Sequence, residues 1–204
     1  MNFKPLLKCW VLLVIVCLTW SCAPEPKPNP LNVSKEVMAE LNEANFHFTY
    51  RGKPIAPKAV NDLTAWDSDQ FPGPVAVDLE ANDSNRYSGD VERNANWFMT
   101  RWQDEESKSS FGYQYVGRLA NGFHVLHTAK NDGGSGTFES LLLVKFSAEG
   151  AYAEDKAGIK IGYRVVLHQV GELALGDRSG AELKVKGSSV FVAKTGMPVR
   201  EIRF

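Results

Sequence analysis

The chain has 204 residues, 44% of them hydrophobic, with 23 basic against 24 acidic side chains and a formal net charge of −1. That length supports one domain with a full core, and the near balance of charge excludes the concentrated basic face of a nucleic-acid binder. The only cysteines are Cys9, Cys17 and Cys22, which excludes disulfides, zinc-thiolate sites and Cys–His catalysis from everything after Cys22.

The first element is Lys4 and Lys8 followed by an uncharged apolar run, Trp10 to Trp20. A run of about eleven residues is shorter than the ~20 needed to span a bilayer, so it reads as the core of a secretory signal. It ends in Leu18-Thr19-Trp20-Ser21-Cys22, a small residue directly before a cysteine. This stretch resembles the lipobox of bacterial lipoproteins, although Thr19 stands where Leu is usual and Trp20 is bulky for its position. The resemblance covers roughly the first thirty residues and implies that residues 1–21 are removed, that Cys22 becomes the lipidated first residue, and that the membrane is a partner through that anchor. Ala23, rather than Asp, after the cysteine implies the outer membrane.

From Pro24 to Pro30 every second residue is proline, which favours an extended tether over residues 22–33. With Lys4 and Lys8 removed, 21 basic residues face 24 acids in the exported chain. Ser34 then opens a helical stretch, SKEVMAELNEANF, with Val37, Met38 and Leu41 at helical spacing and Ser34 as N-cap.

After it come ten short runs rich in Val, Phe, Tyr, Ile and Leu, separated by Gly, Asn and Asp: FHFTYRGKPI, PVAVDLEAN, NWFMTRW, FGYQYVGRLA, FHVLHTA, TFESLLLVKF, YRVVLHQV, AELKVKG, SVFVAK and VREIRF. They predict a mainly β fold over residues 34–204, a single antiparallel β-sandwich or barrel-like domain with one short N-terminal helix. Asn121-Gly122 predicts a two-residue type I′ hairpin pairing Ala120 with Phe123 and Leu119 with His124. One face would then carry Tyr113, Tyr115, Leu119 and Leu126, the other Val116, Phe123 and Val125. Both are apolar enough to be covered, placing the hairpin centrally in a two-layer body. A second hairpin is predicted at Lys186 to Ser189, with Leu183 and Val185 facing Val190 and Val192.

The stretch GGSG, Gly133 to Gly136, invites two catalytic readings that its neighbours exclude. A phosphate-binding loop needs Lys and Ser or Thr after its last glycine and then a helix, but Thr137-Phe138-Glu139 leads into a strand. A nucleophile elbow needs glycine two residues after the serine, and Thr137 stands there. What remains is a connecting loop, Asn131 to Gly136, whose functional version lines a small anion or sugar site beside His127 and Asp132 with backbone N–H groups. The ligand-binding candidates are therefore His127, Asp132, Gly133, Gly134 and Ser135, together with Trp66, whose indole could stack on a sugar ring or a partner.

His124 and His127, three apart on a strand, point to opposite faces and cannot share a metal ion without a bulge. Asp78, Glu80 and Asn82 have the first spacings of a calcium loop, but Gly89 replaces the bidentate glutamate at its twelfth position. Neither a metal nor a cofactor is expected. Asp177-Arg178 predicts a turn locked by a charge-assisted hydrogen bond. Taken together, these features predict a lipid-anchored cell-envelope protein carrying a non-catalytic binding module for an unknown envelope protein or glycan, with catalytic residues unknown. The alternative is an envelope hydrolase using histidine and carboxylate residues drawn from separate strands.

Overall fold

The structure is a computed structural model and describes residues 33–64, 76–80, 91–103, 108–155 and 158–204. Helix α1 (Lys35–His47) starts at Ser34, whose side chain accepts a hydrogen bond from the Val37 amide. It ends at Phe48, held at φ 54° with its amide bonded to the Ala44 carbonyl. A phenylalanine tolerates this left-handed conformation because its ring is captured by the core, stacked on Tyr115 at 5.1 Å. A small hairpin follows, β1 (Thr49–Tyr50) and β2 (Lys53–Pro54), and then a second helix, α2 (Pro57–Leu63).

The remaining strands are β3 (Ala76–Asp78), β4 (Glu92–Asn94), β5 (Trp97–Gln103), β6 (Lys108–Arg118), β7 (His124–Asp132), β8 (Phe138–Asp155), β9 (Gly158–Asp177), β10 (Glu182–Lys186), β11 (Ser189–Ala193) and β12 (Arg200–Arg203). Seven of them form one antiparallel sheet in the order β3-β9-β8-β7-β6-β5-β4, and the last three form a second sheet, β10-β11-β12. The fold is mainly β, as expected, and every predicted run contains strand. The large sheet has two ends, β3 and β4, so it is not a closed barrel.

The sheet is covered on both faces by different material. Against one face pack the helices and the β1–β2 hairpin, with Ala44, Phe48, Ile55, Val60 and Leu63 meeting Tyr113, Leu126, Leu142, Val144 and Val165. Against the other packs the small sheet, with Val190 and Val192 meeting Val125, Leu141 and Leu143. The two sheets make the expected sandwich, and the helices add a third layer to the two-layer body. The buried Tyr113 hydroxyl donates to the Ile55 carbonyl at 2.6 Å, tying the helical layer to the sheet. Burial on both faces from His124 to Thr128 identifies β7 as a central strand.

The Asn121-Gly122 turn differs from the type I′ expectation. The Gly122 amide bonds to the Leu119 carbonyl, the Leu119 amide bonds to the Phe123 carbonyl, and of these turn residues Gly122 alone has positive φ, at 91°. This is a three-residue loop, with the Asn121 side chain accepting from the Phe123 amide. The register becomes Arg118↔His124 and Gly117↔Val125, and it shifts again between Tyr115 and Gly117. The bulge at Val116 inserts one residue and reverses the alternation beyond it. Leu119 consequently joins Val116, Phe123 and Val125 beneath the small sheet, while Tyr113, Tyr115 and Leu126 share one face as predicted, the face that meets the helices. The second hairpin has the predicted register, Leu183↔Val192 and Val185↔Val190.

Candidate functional site

Strand alternation places His127 beneath the small sheet and His124 beneath the helices, the opposite-face arrangement their spacing requires. His127 is almost fully buried, and its Nε2 lies 3.0 Å from Glu139 Oε2 on the neighbouring strand β8. The same carboxylate oxygen accepts from the Ser179 hydroxyl at 2.6 Å, and the Ser179 hydroxyl in turn accepts from the Ala181 amide. Trp97 closes another side of the imidazole, its ring centroid 5.0 Å away. Burial pushes the His127 pKa down, while the hydrogen bond and charge of Glu139 oppose it. A neutral imidazole facing a carboxylate donates from Nε2, so the free lone pair sits on Nδ1.

Beside this group is a half-open recess of about 240 Å³ between β6, β7 and β10, with Gln114, His127, Glu182 and Lys184 as its polar lining. The recess can offer a ligand both charges, an amide and an imidazole. The chemistry of the cluster is limited by one feature: the serine and the histidine both bond the carboxylate and not each other. A nucleophilic relay requires the histidine between hydroxyl and acid.

The other sequence candidates lie elsewhere. Asp132 is five residues from His127, an odd separation that sends it to the other face of β7, and it pairs with Lys130 at 3.1 Å. Gly133, Gly134 and Ser135 form the exposed turn between β7 and β8. This turn is organised from within by Asn131, whose amide donates to the Gly136 and Gly134 carbonyls and whose oxygen accepts from the Gly133 amide. His127, Asp132 and Ser135 are therefore not brought together as a set. Trp66 and Cys22 lie outside the described residues.

Asp78 and Glu80, the first two residues of the calcium spacing, are both taken by Arg164, at 2.7 and 3.2 Å. Asp177 and Arg178 lock their turn as predicted: the guanidinium reaches both carboxylate oxygens, and Asp177 also accepts from the Thr137 amide. The Arg178 guanidinium, with the Thr137 amide, holds the Asp177 carboxyl below its usual range.

Sequence reasoning missed Glu139 and Ser179, which lie 40 residues apart. It also missed a second cluster on β8 and β9, where His168 Nε2 lies 2.8 Å from Ser147 Oγ and 2.7 Å from Glu149 Oε1. Both partners compete for one ring nitrogen, which again differs from a relay through two. The signal for Ser147 and Glu149 was their i, i+2 spacing on one strand face opposite a histidine, visible only once the β8–β9 register is known. No family model, curated protein or solved structure matches the chain.

Proposed function

We propose that the chain is a lipid-anchored bacterial envelope protein, held at the outer membrane through Cys22, whose β body is a non-catalytic interaction module. The observation that carries the interaction reading is the far end of the β8–β9 hairpin. Among the described residues, β7 pairs with β8 only as far as Val144, and β3 covers β9 only from Val166 to His168, with the Leu79 amide bonded to the Val165 carbonyl, so the hairpin continues as a two-stranded arm. Along one face of that arm Tyr152 and Ile161 are cross-strand partners with Ile159 beside them, exposed by 78%, 71% and 74% respectively. Three large apolar side chains on one unsupported ribbon face cost solubility unless something covers them. The bonding around His127 and His168 also favours binding over the hydrolase alternative.

The test uses whole cells. A photoreactive phenylalanine analogue at Tyr152 should crosslink to an envelope component, whereas the same group at Arg203, on the remote small sheet, should not. Cys22→Ser should release the chain from the membrane fraction. Equal crosslinking from both positions, or membrane retention of the serine variant, refutes the corresponding half of the proposal.

A further inference from the structure

A second apolar surface lies on the opposite side of the large sheet from the helices. Where β9 runs past the edge of the small sheet, its underside and the segment joining β11 to β12 enclose a half-open groove of about 420 Å³. Leu173 and Leu175 form one wall; Met197, Val199 and Ile202 form the other. Met197 and Val199 are mostly exposed, while Leu175 and Val192 belong to the buried core beneath the small sheet. The groove is thus an opening into an apolar interior.

Its charge is one-sided. Among the described residues, Lys194 and Arg200 are the charged members of its lining, and no carboxylate lines it. The Lys194 ammonium is turned inward onto the Leu175 carbonyl, whereas Arg200 is exposed at the rim opposite Val192 in the register. An apolar trough with a cation, Arg200, at its rim complements an amphiphile with an anionic head. Pockets of this size are ordinary for ligands that bury most of their surface.

We infer that this groove binds the hydrocarbon chain of a fatty acid, with the carboxylate held at Arg200. The inference deepens the binding-module reading and rests on it in taking the body to hold its ligand unchanged. It is tested on the full chain, purified and held in phosphatidylcholine nanodiscs, with two probes: myristate carrying a diazirine on its chain, and the corresponding alcohol.

After irradiation and proteolysis, adducts should concentrate on residues 173–175 and 194–202. Unlabelled myristate should displace them. Val199→Asp, at an exposed position that leaves the core intact, should cut labelling at least tenfold. The acid should label more strongly than the alcohol, and Arg200→Gln should erase that preference. Adducts spread evenly over the surface, no displacement by unlabelled acid, or unchanged labelling of Val199→Asp would each overturn the inference. So would equal labelling by acid and alcohol, or crosslinks joining two copies through Met197, which would make a second chain the occupant. Because labelling is read on the purified chain, its failure is distinguishable from failure of the Tyr152 crosslink in cells.

Discussion

His124 is a titratable group placed where charge is most expensive. Its ring is fully buried among Phe48, Tyr115 and Phe146, its Nδ1 lies 3.3 Å from the Tyr115 hydroxyl, and its Nε2 has no hydrogen-bond partner among the described residues. Burial first, and the nearby Arg118 charge second, push its pKa from 6.5 down to about 4. The unfolded chain therefore takes up a proton on this histidine near pH 6.5, and the folded chain only near pH 4. Stability is greatest above pH 6.5, falls as pH drops toward 4, and levels off below that because both states are then protonated. Between pH 7 and pH 5 the loss from this one group is roughly 2 kcal/mol. Urea midpoints should fall over that range, and His124→Phe should flatten the fall; an unchanged slope in the variant would refute the assignment. At this scale the sequence was informative about direction: a spacing of three separated His124 from His127 correctly. It was silent about partners, because Glu139 meets His127 only through the β7–β8 register, and Ser179 meets Glu139 from 40 residues away.

Elements were legible where the local pattern was self-sufficient. Ser34 caps α1, and the Lys186–Ser189 hairpin has its predicted register, because each depends on neighbours in sequence. Helix α2 was overlooked although Ala59, Val60 and Leu63 follow helical spacing behind a proline at the first turn; seven residues are too few for periodicity to stand out. The bulge at Val116 was not legible, since nothing in the alternation of β6 marks where an extra residue enters. The adjacent Gly117 packs closely under the small sheet, where a Cβ would lie 3.2 Å from Val185 Cβ. Gly117→Ala should therefore push the sheets apart and cost about 1–3 kcal/mol, the scale for overpacking. Adding Val185→Ala should recover part of that loss in a double-mutant cycle, and strict additivity would show that the two do not touch. Gly122→Val acts differently, by forcing a β-branched residue to φ 91°. It should cost at least ~1 kcal/mol in backbone strain, read as a lower melting temperature.

The whole molecule divides into a sheet stabilised from both sides and an arm that nothing in the described chain covers. Composition and strand count were enough to anticipate the sandwich, but the lengths of β8 and β9 were not, because glycines such as Gly150 and Gly162 look like turn signals and instead sit inside the paired ribbon. An isolated two-stranded ribbon is marginal in water, so the arm owes its order to continuity with the sheet. Among the described residues from Gly150 to Tyr163 none is buried, whereas Val165 and Phe146 at its base belong to the core. Glu149 and Arg164 are directly opposite each other in the register. Replacing residues 150–163 with an Asn-Gly turn between them should leave the melting temperature within a few degrees of the full chain, since the deletion removes little buried apolar area. Amide exchange in the intact protein should agree, with arm amides outward of Glu149 exchanging well before those of β7. A fall in melting temperature as large as that of a core truncation, or arm amides protected as strongly as β7, would mean that the arm is part of the folded core rather than a surface held out for a partner.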